Sequence, residues 1–344
     1  MEKARESVFV SAIRSFCRMF FGLCGFSLAL FLILFTYSEI TSVSSVDDKT
    51  TMNYLPDANG DLAVVSVTAP AILQLNIHGV IGEPKVLDTT TVQNILAESR
   101  MNLLAGNRVK GILIHMNTPG GTVVDSDNIY RMVKHYKERY KVPVYAYVDG
   151  LCASGGMYIA CAADKIYAGA ASATGSVGTL IGPFFNFSEA LAKIGVASET
   201  ITQGLNKDMM SPFRPWKPNE DASLKNLIAY FYHQFVDLVA ASRPRMDKTK
   251  LVEVYGAQIY DPVTAQQFGY VDVANATREQ ALLDLLKEAN IDPASHYQVV
   301  ELESKSGWRS LFGNESPLMK GILQHTFDPT PRFLKDQFAY LYQP

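Results

Sequence analysis

From Met19 to Ser38 the chain reads MFFGLCGFSLALFLILFTYS, 20 residues without a charge. A helix rises about 1.5 Å per residue, so a run of this length reaches across a hydrocarbon core of about 30 Å. Lys3, Arg5, Arg14 and Arg18 precede it, and Glu39, Asp47 and Asp48 come after it. Basic flanks stay on the cytoplasmic side. The sequence therefore predicts a cytoplasmic segment at 1–18 and a single-pass anchor at 19–38, with the remaining chain on the outer side of the membrane. The competing reading is a cleaved signal peptide, whose apolar region is normally shorter; Ser42-Val43-Ser44 is its weak candidate site. Residues 39–62 are polar, with Pro56 and Gly60 as breakers, and read as a linker.

Beyond the linker the chain reads as a globular body. Of all residues, 48% are hydrophobic and 19% charged, which is too apolar for a disordered chain. Lys and Arg number 31 against 34 Asp and Glu, a net charge of −3, so no nucleic acid partner is expected. The four Cys exclude a disulfide-stapled scaffold. None forms a CxxC pair, and neither a metal nor a cofactor is expected.

The body, 63–290, alternates between two periodicities. Ala63–Val67, Ala71–Ile77, Val109–Met116 and Val142–Val148 are short apolar runs that read as buried strands. Asp125–Tyr140 and Ser154–Ala163 read as helices, and Leu224, Leu227, Ile228, Phe231, Phe235, Leu238 and Val239 form an apolar stripe on a longer one. Alternation of this kind predicts an α/β fold of βαβ units with a largely parallel sheet and right-handed crossovers. The remainder, 291–344, is an extension whose end is rich in aromatics. It is expected to pack on the body or a neighbouring subunit, to occupy a substrate groove, or to rest on the membrane surface.

Chemistry in such folds sits at the carboxyl ends of strands. One exit carries Asn117-Thr118-Pro119-Gly120-Gly121, where bare backbone N–H groups can approach an oxyanion; a plain tight turn is the alternative. The next carries Ala153-Ser154-Gly155-Gly156, a serine at a strand-to-helix turn whose succeeding N–H faces a developing oxyanion; a simple helix cap is the alternative. None of the six His is placed by the pattern to serve Ser154, since each falls on a strand, a helical face or the tail. Lys207, after Gly204 and before Met209 and Met210, lies in apolar surroundings that would favour its neutral amine once buried. The alternative is a surface lysine paired with Asp208. Cys152 and Cys161 read as core packing.

NTPGG at 117–121, ASGGMY at 153–158, AADKIYA at 162–168, TGSVG at 174–178 and SETITQGLNKDMMSP at 198–212 resemble the SppA-type signal peptide peptidases, Ser/Lys proteases of the ClpP/crotonase superfamily. The similarity runs from about Ala71 to Asn290, with one copy of each motif, as in the short members. It departs at Thr118, often Ser, and at Met157, often Tyr. The resemblance implies Ser154 as nucleophile, Lys207 as general base, Gly155 and Gly120 N–H as oxyanion donors with Gly121 as the fallback, and Ser176 as the residue that orients the lysine. It implies a ring-shaped homo-oligomer on the membrane, with the dyad assembled from neighbouring subunits, acting on signal peptide remnants and other apolar peptides. Two alternatives share the architecture: an inactive membrane scaffold and a crotonase-like acyl-thioester enzyme.

Overall fold

A computed structural model describes residues 8–43, 50–62, 66, 68–303 and 339–341. The chain divides into two compact units, one ending at Lys49 and one beginning at Thr50. The first holds α1 (Val8–Val43), in which Arg14–Ile33 is long and apolar enough to cross a membrane and has every side chain exposed.

The second unit runs β1 (Thr51–Leu55), β2 (Ala71–His78), α2 (Thr89–Glu98), β3 (Val109–Thr118), β4 (Gly120–Thr122), α3 (Val123–Tyr140), β5 (Val144–Ala153), α4 (Gly155–Ala160), β6 (Lys165–Ala168) and β7 (Ala173–Gly175). It continues through α5 (Ser188–Lys193), α6 (Ala222–Ser242), α7 (Lys248–Lys250), β8 (Ile259–Tyr260), α8 (Pro262–Phe268), α9 (Arg278–Glu288), β9 (Gln298–Glu303) and β10 (Ala339–Leu341). The main sheet has the order β1-β9-β2-β3-β5-β7-β8, with β6 also paired to β5. Its centre is parallel; β1–β9 and β7–β8 are antiparallel pairs at the two margins.

The central strands are parallel because they are apolar on both faces and must be covered on both. Leu73, Leu75 and Ile77 line up with Ile112, Ile114 and Met116 and with Val144, Ala146 and Val148. They share one core with Val92, Ile95 and Leu96 of α2 and Ile129 and Val133 of α3. On the other face Ile72, Leu113 and Tyr145 meet Leu282 and Leu285 of α9. Towards the carboxyl ends that second face turns polar, with Asn76, His78, His115 and Asp149. The architecture is the expected α/β one, with a mostly parallel sheet flanked by helices.

Several spans differ from the sequence reading. β1 falls in the stretch read as a linker and β9 in the stretch read as extension, and both are hydrogen-bonded into the sheet. Residues 63–65 and 67 of the first expected strand, and residues 304–338 with most of the aromatic tail, lie outside the described residues. On α6 the apolar stripe is buried at Phe235 and Val239, half-buried at Leu224, Ile228, Phe231 and Leu238, and exposed at Leu227.

Candidate active site

Two strand exits interlock here. At the end of β3, Thr118 Oγ1 donates to Gly79 O (2.6 Å) and accepts from Gly120 N (3.0 Å). Ile81 N donates to Gly120 O, and Thr122 N donates to Ile81 O, both at 2.9 Å. In a strand the residue between two such neighbours points its own N–H and C=O to the opposite side. Gly121 therefore offers both groups to the far edge of β4. Only glycine fits there, since a Cβ on Gly121 would lie 1.8 Å from Ile81 O. Thr122 then caps α3, accepting from Asp125 N (3.1 Å), while Asp125 Oδ1 holds Thr89 N and Oγ1 and ties the loop to α2.

Ser154, at the end of β5, has φ 55° and ψ −116°. A non-glycine residue in that region stores strain, as expected of a nucleophile elbow. Its N–H donates to Gly175 O (2.9 Å), but its side chain makes no cap hydrogen bond to α4, which removes the capping explanation. The hydroxyl is buried and has no hydrogen-bond partner among the described residues. An unsatisfied buried polar group costs about 1–3 kcal/mol, so this one is retained at a stability cost. Gly155 occupies the first position of α4, where a backbone N–H has no intrahelical acceptor. Gly156 packs directly on the other loop, since a Cβ there would meet Thr118 Cγ2 at 2.6 Å.

Ser176 comes after Gly175, the residue paired with Ala153, and is itself buried with φ 57°. The structure thus gathers Ser154, Gly155, the Gly120–Gly121 loop and Ser176 at one corner of the sheet. One detail differs from expectation: Gly120 N–H is engaged by Thr118 Oγ1, and Gly121 N–H is the one turned outward.

Lys207 does not reach the nucleophile at this corner, for Ser154 Oγ has no partner among the described residues. It is exposed, on a turn closed by Lys207 N to Gly204 O and Met209 N to Asn206 O. Nor does it pair with Asp208. That carboxylate is taken by Arg214, whose Nε donates to Asp208 Oδ2 at 2.6 Å, and Arg214 Nη2 donates to Glu220 Oε2 at 2.6 Å. Hydrogen bonds from Arg214 hold both carboxyls below their ordinary range and raise the guanidinium in turn. Arg214 and Glu220 were not singled out by the sequence. Asp208, Arg214 and Glu220 are six positions apart, a spacing with no helical or strand meaning, so no periodic signal marks them.

Burial pushes the Cys161 thiol up to about 12 and the Cys152 thiol further still, so both are inert packing groups. His78 Nε2 lies 3.1 Å from His115 Nδ1, and His115 Nε2 lies 3.3 Å from Asp149 Oδ2, on the polar end of the second sheet face. Among the described residues no group of three or more His, Cys, Asp or Glu is placed to hold a metal ion.

The far edge of β4 is occupied. β10 pairs with it antiparallel, with Ala339 opposite Thr122, Tyr340 opposite Gly121 and Leu341 opposite Gly120.

The sequence pattern of peptidase family S49 matches residues 136–292, and that of Clp protease matches residues 75–174. A putative signal peptide peptidase SppA of Enterococcus faecium is 32% identical over 264 residues, 75% of this chain and 74% of that protein. A putative protease of Synechocystis is 36% identical over 211 residues, 60% of this chain and 73% of that protein. Protease 4 of Haemophilus influenzae is 27% identical over 210 residues, which is 60% of this chain and 33% of the relative. Among solved structures, a membrane-bound stomatin-specific protease superposes loosely, with TM-score 0.42 at 16% identity over 71% of this chain and 96% of the other. With a serine elbow and a glycine loop at one corner of the sheet, and relatives matched along most of their length, the chain belongs to peptidase family S49 and is a serine peptidase.

Proposed function

We propose that the chain is a membrane-anchored endopeptidase with a Ser154/Lys207 dyad, that it degrades cleaved signal peptides and other apolar peptides, and that Lys207 reaches Ser154 from a neighbouring copy in a ring. The carrying observation is the Ser154 hydroxyl, strained into place, buried and without a hydrogen-bond partner among the described residues. A nucleophile needs a base within hydrogen-bond reach, and a lysine needs desolvation before its amine is neutral. Docking of a second copy meets both needs at once. In its support, Phe185, Ile194, Ile201, Leu205 and Phe213 on the Lys207-bearing segment are exposed, and α5 buries no residue. Apolar surface of that kind marks an association face. A head-to-tail contact repeated around an axis closes a ring.

In the mechanism, neutral Lys207 takes the Ser154 proton as Oγ attacks the peptide carbonyl. The oxyanion rests on Gly155 N–H and Gly121 N–H, with Gly120 held in its loop by Thr118. Lys207 then protonates the leaving amine, and water releases the acyl group by the same base. Ser176, beside the nucleophile, accepts or donates a hydrogen bond that orients the incoming amine. The α1 anchor holds the site near the bilayer with the N-terminus cytoplasmic and the catalytic unit on the outer face, which suits apolar peptides left in the membrane.

The test mixes two inactive variants. Ser154→Ala and Lys207→Ala are each expected to be inert alone. After dissociation and reassembly in equal amounts, a shared dyad restores roughly a quarter of wild-type peptidase activity, since half the serines and half the lysines are intact. No recovery places both residues in one chain. An active Lys207→Ala variant removes the lysine from the chemistry.

A further inference from the structure

We infer that Arg214 is the positioning residue for Lys207, an inference that rests on the dyad proposed above. The guanidinium has five N–H donors, and all five are used. Nε donates to Asp208 Oδ2 (2.6 Å), Nη2 to Asp208 O (2.7 Å) and to Glu220 Oε2 (2.6 Å), and Nη1 to Glu220 Oε1 (3.3 Å) and Pro215 O (2.9 Å). Two of these grip Asp208, the residue after Lys207, by side chain and by backbone. Two more seat the guanidinium on Glu220, whose side chain is only 2% exposed and which stands just ahead of α6. The turn that displays Lys207 is thereby referenced to the start of a long helix, although its own apolar residues are exposed. With Asp208 turned to Arg214, no carboxylate from the adjacent residue is left to hold the lysine as an ammonium.

A lysine at 214 cannot replace this arrangement, because a point charge with three donors lacks the planar fork. Arg214→Gln and Arg214→Lys are expected to lower kcat by about 10- to 100-fold, the cost of a base displaced by an ångström or so. KM for a peptide should stay within about twofold, with melting temperature and subunit assembly unchanged. Glu220→Gln, which keeps the shape but weakens the seat, should give a smaller loss in the same direction, and it decides the matter if the Arg214 variants fail to fold. Wild-type kcat in Arg214→Gln or Glu220→Gln overturns the inference if Lys207→Ala is inactive. An active Lys207→Ala overturns the dyad itself.

Discussion

Gly156 lacks a side chain because Thr118 has one. The 2.6 Å that would separate a Cβ at 156 from Thr118 Cγ2 leaves no room for a methyl, and the approach locks the glycine loop against the serine turn. Gly156→Ala should cost about 1–3 kcal/mol by overpacking and slow the reaction of Ser154 with a fluorophosphonate. Thr118→Ser deletes that methyl and keeps the hydroxyl that binds Gly79 O and Gly120 N. The double variant should therefore recover most of the stability, read as a urea midpoint, and most of the labelling rate. A Gly156→Ala protein that matches wild type in both would disprove the interlock. At this scale the sequence was informative where backbone chemistry is singular. Pro119, Gly120, Gly121 and the Ser154-Gly155-Gly156 run all sit at turns that those residue types require. It was silent on which of two adjacent glycines faces outward, since that depends on Ile81, which lies on a separate stretch of chain.

Among the elements, β2, β3 and β5 were legible because strands buried on both faces are written as apolar runs. β1 and β9 were not. Thr51–Leu55 buries none of its residues fully, and its pairing with β9 joins positions some 250 apart in sequence, which no local pattern reports. α6 was legible as a helix from its apolar stripe, but the stripe does not say how much of it the chain itself covers, and only its second half is buried. The polar end of the central strands has a consequence for acid stability. His78 and His115 are both held below their ordinary value of 6.5, first by burial; each other's charge adds to this at His78, and Arg278 at His115, while Asp149 opposes the shift at both. Imidazoles with depressed values are neutral in the folded chain and bind protons more readily once unfolded. Their contribution is full above about pH 6.5 and is lost as pH falls through the lowered values. The urea midpoint should fall as pH drops below about 6.5, and His115→Asn should flatten that fall. An unchanged slope in the variant would assign the acid sensitivity to other groups.

For the whole molecule, the separation of Ser154 from Lys207 within one chain is the main lesson. The catalytic unit is well packed around its sheet, yet the segment from about Phe184 to Trp216 and the first half of α6 expose large apolar side chains. Ser154 is buried without a hydrogen-bond partner among the described residues, and Lys207 is exposed. On the shared-dyad reading, each newly made copy carries its two reagents stored apart. A solitary chain is then harmless to the proteins around it. The proteolytic rate in a membrane patch depends on how crowded that patch is with copies, rising more steeply than their number and vanishing on dilution, with no separate inhibitor or processing step required.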